Sequence, residues 1–259
     1  MSSEKLRDAK SEQPIVRRWL PATCLLVVLW ILPGIVCGQD FDGRIEATAR
    51  NVHEFLSNGL RVKLWRKDWT GPNPVLEYTT SGNVIRYSFS GHGHGIGSIS
   101  QVYYDTGLRV DDVPAHIRIG MVAKMEARSR SYFSGVYCFT TTRSDGRWDN
   151  GKGDEFYVVL EHSGEPADEL VGSIEVEGAV WDLYMGNHGA SRGGGRRLKA
   201  VHASGPVPAT VPLRPFLQEF RTRGMENLYW LYIGVAFELR GGPHEGSVTM
   251  TDIVLPKKE

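Results

Sequence analysis

The chain has 259 residues, 41% of them hydrophobic and 23% charged, with 30 basic residues balanced by 30 acidic ones. This composition excludes disorder throughout. It also offers no domain-scale basic surplus for phosphates, so nucleic acid is not expected as a partner.

Residues 1–38 have the arrangement of a secretory signal peptide: Arg17 and Arg18, an apolar run from Trp19 to Val36, then small residues before Gln39. Val36 and Gly38 suit a cleavage site, so the mature domain is expected to span 39–259, secreted or periplasmic. The alternative is an uncleaved signal anchor holding the domain outside the membrane. Pro21 and Pro33 shorten the run, which favours cleavage. Removing the leader subtracts five basic and three acidic residues and leaves a net charge of −2. It also takes Cys24 and Cys37, so Cys138 stands alone and no internal disulfide can form.

The chain carries 30 glycines and 26 aromatic residues (7 Trp, 10 Tyr, 9 Phe), a composition that leans toward β-structure. Short runs with period-two alternation are predicted strands: 83–89, 116–126, 132–139, 155–161, 180–185, 228–239 and 247–255. In 116–126, Ile117, Ile119, Met121, Ala123 and Met125 share one face, with Arg118, Lys124 and Glu126 opposite. Gly91-His-Gly-His-Gly95 reads as a flexible turn after the first of these strands. Its His92 and His94 are at most two ligands of a metal site with no other ligand in view, so no metal is expected. Gly186–Gly195 reads as a solvated loop. One helix is predicted where Leu213, Phe216, Leu217 and Phe220 recur at helical spacing, with Pro215 near its start and Gly224 at its C-cap. Many strands and one late helix give an all-β fold, a jelly roll of two curved antiparallel sheets.

The usual nucleotide and serine-hydrolase fingerprints are absent from the sequence, so no cofactor is implied. The strand carboxylates carry more information, because a glutamate inside an apolar strand costs desolvation unless it faces a cleft or a partner. Alternation puts Glu155, Tyr157, Val159 and Glu161 on one face of their strand, and Trp230, Tyr232, Gly234, Ala236 and Glu238 on one face of theirs. Aromatic rings, small residues and a carboxylate on one face suit a sugar-binding groove, and a carboxyl pair is what glycoside hydrolysis requires.

Four segments in order resemble glycoside hydrolase family 12, the jelly-roll endoglucanases: Asp154-Glu155-Phe-Tyr-Val-Val-Leu160, Val180-Trp-Asp-Leu-Tyr-Met-Gly-Asn187, the Phe/Leu-rich helix, and Tyr232-Ile-Gly-Val-Ala-Phe-Glu238-Leu-Arg-Gly-Gly242. The resemblance covers about half the chain. It implies a monomeric retaining endo-glycosidase acting on β-1,4-glucan, with Glu155 as nucleophile and Glu238 as acid/base. The acid/base pKa would be raised by its ionised neighbour. Trp148, Trp65, Trp69, Trp230, Tyr232 and Tyr157 would hold the sugar chain. Where the family has Tyr-Asp beside the nucleophile, this chain has Tyr137-Cys138, and the missing carboxylate points to impaired catalysis. The run Glu155-Phe-Tyr-Val-Val-Leu-Glu161 is similar to the xylanases of family 11 in the same clan. An endo-β-1,4-xylanase and a non-catalytic carbohydrate-binding jelly roll are the alternatives.

Overall fold

The computed structural model describes residues 42–56, 59–79, 84–102, 109–142, 153–164, 168–187, 195–226 and 229–256. The leader, the Gln39 start and Trp148 lie outside them. The first strands are β1 (Asp42–Glu46), β2 (Asn51–Phe55), β3 (Leu60–Thr70), β4 (Val75–Thr79) and β5 (Val84–Val102). After a 3₁₀ turn at Val110–Asp112 come β6 (Arg118–Ser129), β7 (Tyr132–Thr141) and β8 (Glu155–Ser163). Next are β9 (Glu169–Val176), β10 (Ala179–Asn187), β11 (Arg196–Ser204) and β12 (Thr210–Pro212). Helix α1 (Leu213–Thr222) precedes β13 (Tyr229–Leu239) and β14 (Pro243–Val254).

Hydrogen bonding arranges these strands as two sheets that share β5. The outer sheet runs β1-β4-β5-β14-β6-β12, and the inner one runs β2-β3-β5-β13-β7-β8-β11-β10-β9. All neighbours are antiparallel except β8 and β11. This is a β-jelly roll. The first half of β5 pairs with β4 and β14, and the second half with β3 and β13. The segment read as a flexible turn, Gly91 to Gly95, is therefore the corner inside a 19-residue strand where the chain passes from one sheet to the other. Glycine is required there: Gly91 and Gly93 have φ of 153° and 143°, and a Cβ on either would collide with Trp69 or the backbone of β3.

The core fills the space between the sheets and is predominantly apolar near its centre, where Leu64, Leu76, Tyr87, Val136, Phe156, Val235, Phe237 and Val248 are buried. In β6, Ile119 and Met121 are buried and Ile117, Ala123 and Met125 pack against the core, following the alternation. Helix α1 lays Leu213, Phe216, Leu217 and Phe220 on the side of the inner sheet away from its concave face. Phe216 meets Trp181 edge-on at 5.2 Å, and Phe220 meets Phe156 at 5.0 Å. Each such side chain stabilises the fold by about 1.5–3 kcal/mol. The helix ends at Gly224, whose φ of 89° suits a C-cap glycine.

Candidate active site

The concave face of the inner sheet carries a second apolar cluster: Phe133, Tyr137, Tyr157, Val159, Val201, Leu231, Tyr232 and Ala236. Cross-strand register orders this face in rows. One row holds Trp65, Ile96, Glu238, Phe133 and His162 from β3, β5, β13, β7 and β8. The next holds Lys63, Ser98, Ala236, Gly135, Val159 and Val201, and the third Arg61, Ser100, Gly234, Tyr137, Tyr157 and Lys199. The last holds Tyr232, Phe139, Glu155 and Arg197.

Glu155 and Glu238 thus share the concave face, on the two strands that flank β7, at opposite ends of the rows. Both are buried, at 7% and 4% exposure. Between them stand Tyr137 and Tyr157. Burial, then the charges of both glutamates, push the Tyr157 phenol well above its ordinary pKa. Lys63 feels both carboxylates as well. Burial and the neighbouring Arg61 pull its pKa down to about 8, against the opposing pull of Glu155 and Glu238.

Glu238 is embedded in cations. Its Oε1 lies 2.6 Å from Nε2 of His94 and accepts a bond of 3.0 Å from Nε of Arg240, whose guanidinium rests 4.7 Å over the ring of Phe133. Burial opposes the charge of Glu238, but the bond from His94 and the charge of Arg240 outweigh it, so its pKa falls below the usual carboxylate range. This is opposite to the raised value expected for an acid/base, because the nearest charges are positive. Sequence reading passed over both partners. Arg240 was legible, since it stands two residues after Glu238 on the same face. His94 was not, because it depends on the corner in β5.

Farther along the groove, Asp168 occupies space left by Gly186, where a Cβ would collide with its carboxylate. Asp168 accepts bonds from Arg197 Nε at 3.0 and 3.2 Å and from Lys199 Nζ at 2.5 Å. Burial resists its ionisation, yet these two donors hold its pKa at about 2.

The tryptophans divide. Trp65 is half-buried on the groove face, edge-on to His94 at 5.0 Å, with the Arg50 guanidinium 5.8 Å from its ring. Trp69 does not belong to the groove: the irregularity of β3 between Lys67 and Thr70, with Asp68 at φ 52°, turns it into the core. There it stacks on His244 at 5.9 Å and donates to Pro72 O at 2.8 Å. Trp230 is likewise a core residue. A bulge between Trp230 and Tyr232 breaks the alternation, so Trp230 points between the sheets, and Leu231 takes a place on the concave face. Tyr232 and Tyr157 do line the floor. The Arg61 guanidinium lies 4.2 Å over Tyr232, covering one side of that ring.

Two further positions differ from expectation for the same reason of facing. Cys138 pairs in register with Phe156 and Ile233, all three in the inter-sheet core. Its thiol is on the far side of β7 from Glu155 and cannot stand in for a groove carboxylate. In β8 a bulge opposite Ser134 and Gly135 turns Glu161 off the groove face, where it accepts from Tyr132 Oη at 3.0 Å, and His162 replaces it.

No protein-family model matches this chain, and no curated protein matches it either. Solved structures do match its fold. A family 12 xyloglucanase from Bacillus licheniformis in complex with ligand superposes with a TM-score of 0.63 at 14% identity, over 82% of this chain and 97% of the other. A family 11 xylanase from Neocallimastix patriciarum gives 0.61 at 14% identity over 83% and 97%, and an endoglucanase from Rhodothermus marinus gives 0.59 at 12% over 83% and 97%.

Proposed function

We propose that the chain is an endo-acting, retaining glycoside hydrolase that cleaves internal β-1,4 linkages of a polysaccharide, with glucan as the preferred backbone. The observation that carries this reading is the pair of buried carboxylates, Glu155 and Glu238, on one concave face, both acting on the same Tyr157 phenol and Lys63 ammonium. A buried carboxylate costs desolvation unless it is paired or faces a ligand. The fold, shared with endoglucanases, xyloglucanases and xylanases, supports the same reading.

In this mechanism the Glu155 carboxylate attacks the anomeric carbon and Glu238 gives a proton to the departing oxygen, which requires the curl of the sheet to bring the two carboxyls, three rows apart in register, to about 5–5.5 Å. Water then attacks the glycosyl-enzyme ester as Glu238 takes the proton back, and Glu155 is released. Glu238 enters the first step in its protonated form and leaves it as the carboxylate, whose Oε1 is then held 2.6 Å from His94 Nε2. Arg240 keeps the Glu238 oxygen oriented through both steps. Tyr157 and Tyr232 form the floor, and Trp65 offers a ring at the groove wall for a sugar to stack on.

The cationic surroundings of Glu238 favour one other reading, a carbohydrate-binding groove without turnover, since a carboxylate held ionised is a poor proton donor. Incubation with cellulose, mixed-linkage glucan, xyloglucan and xylan separates the two. Reducing ends should appear with at least one polymer and vanish in Glu155→Gln. With an activated aryl glycoside, Glu238→Ala should regain turnover when azide is added. Binding without hydrolysis of any of the four leaves the non-catalytic groove.

A further inference from the structure

His94 stands in the corner of β5 among three glycines, Gly91, Gly93 and Gly95. Glycine gives a backbone little resistance to rotation, so a corner of this composition keeps one path only where something outside it is attached. The strand ladders leave a gap there. Pairing of β5 with β14 ends at His92, pairing with β13 begins at Gly95, and the register with β3 passes from Lys67 opposite His94 to Thr70 opposite His92. Gly93 has a cross-strand partner in none of the three. Its N–H donates instead to Gly242 O at 3.2 Å, and its carbonyl oxygen lies 3.0 Å from Nε2 of His244.

The His244 ring is held firmly for that contact. It is 2% exposed, stacked on Trp69 at 5.9 Å and edge-on to Phe89 at 6.4 Å. Burial pulls its pKa below the ordinary value, against the bond to Gly93, and His92 and His94 add to the fall. The ring is therefore neutral at pH 7 and carries one hydrogen. A carbonyl only accepts, so that hydrogen is on Nε2. Nδ1 then accepts at 2.8 Å from the Ser129 hydroxyl, which also has Ser131 O at 3.1 Å.

We propose that His244 is a positioning residue for the acid/base: by holding the Gly93 carbonyl it fixes the peptide that carries His94, and so sets the His94 imidazole against Glu238. This inference rests on Glu238 being the acid/base of the proposed hydrolysis. The Gly93 carbonyl and the His94 N–H lie in one planar peptide unit. A bond to the oxygen stops that plane from turning, and the His94 Cα at its end is fixed with it. From there the ring reaches Glu238 Oε1 at 2.6 Å, with Trp65 edge-on at 5.0 Å. His244 itself belongs to the outer sheet, in register between Gly91 of β5 and Ser129 of β6. Its influence on Glu238 therefore runs through the glycine corner. The other titratable groups that face Glu238, Arg240 on its own strand, Lys63 on β3 and Tyr157 on β8, are on elements that His244 does not tether.

The test reads the Glu238 carboxyl by carbon NMR titration of the full chain with labelled glutamate, alongside kcat and KM on the polymer it hydrolyses fastest. A glutamine amide nitrogen reaches where Nε2 of histidine stands, whereas that of asparagine reaches only as far as Nδ1. His244→Asn should move the Glu238 titration to higher pH, the direction expected of His94→Ala, and lower kcat about tenfold with KM little changed. His244→Phe, which keeps the stack on Trp69 but has no donor, should do the same. His244→Gln should return both readings toward wild type. In a His94→Ala background neither His244→Asn nor His244→Phe should move Glu238 further, because a residue that acts through His94 has nothing left to place. A Glu238 titration unmoved by the loss of the donor, equal behaviour of His244→Gln and His244→Asn, or effects that add to those of His94→Ala would overturn the inference. The titration needs no turnover, so it decides the role of His244 separately from the glycosidase reading, against which a wild type inert on every polymer would count.

Discussion

Replacing Cys138 by aspartate sets the register of β7 against the arrangement implied by the family resemblance. The resemblance makes Cys138→Asp a repair, restoring a carboxylate beside Glu155. The structure makes it a lesion, because Cys138 is fully buried between the sheets with Phe156 and Ile233 on the neighbouring strands. An aspartate there must be neutral to remain folded. Burial raises its folded pKa above the unfolded value of about 3.9, so the cost is small below that pH and grows as pH rises. Held neutral at pH 7, it loses about 1.4 kcal/mol for each of roughly three pH units, or ~4 kcal/mol. The uncompensated neutral carboxyl adds about 1–3 kcal/mol at any pH. The total, ~5–7 kcal/mol, is comparable with the whole stability of many domains, about 5–15 kcal/mol. Melting temperature should fall by ~10–28 °C at pH 7, at about 2–4 °C per kcal/mol for a domain of this size. At pH 4 the fall should shrink to the smaller contribution alone. Urea denaturation of variant and wild type at both pH values measures it. A variant as stable as wild type at pH 7, with raised hydrolysis, would refute the facing assigned to β7.

Four other substitutions probe the groove and the core behind it. His94→Ala removes the leading bond that keeps Glu238 ionised, so the Glu238 pKa should rise, and the alkaline limb of the pH–rate profile should move to higher pH. Asp168 has its folded pKa depressed to about 2, so its stabilisation is present above the unfolded value of about 3.9 and fades as pH falls toward 2. Acid titration of Asp168→Asn should lack that fading, and the variant should be about 2 kcal/mol less stable than wild type at pH 7. Trp230→Ala should cost ~3–5 kcal/mol in denaturation without changing saccharide affinity of the folded protein, whereas Trp65→Ala should weaken affinity with a smaller stability loss.

Alternation and helical spacing made most of the architecture legible. The core face of β6, the stripe of α1 and the run of β8 from Glu155 to Leu160 follow from local sequence, because in each the buried face is regular enough to dictate the pattern. What escaped was every place where one residue breaks the period. The bulges after Trp230 and at Leu160, and the left-handed Asp68, each invert the facing of what adjoins them, which moved Trp230, Glu161 and Trp69 off the groove. The glycine corner of β5 looked like a turn because its composition is that of a turn. The strand continues through it because hydrogen bonds to β14, β3 and β13, none nearby in sequence, hold it in both sheets. The cations of the groove escaped for a related reason. Lys63 and Arg61 gain meaning only when β3 is laid beside β5 and β13, so that they stand near Glu155, Glu238 and Tyr232.

Covalent trapping tests the central assignment most directly. A β-1,4-linked oligosaccharide with fluorine at C2 of the reacting sugar and a good leaving group should form the glycosyl ester rapidly and hydrolyse it slowly. Intact mass should rise by one glycosyl unit, peptide mapping should place it on Glu155, and Glu155→Gln should take up none. A label on any other residue, or an unlabelled protein that still binds the oligosaccharide, would contradict the account.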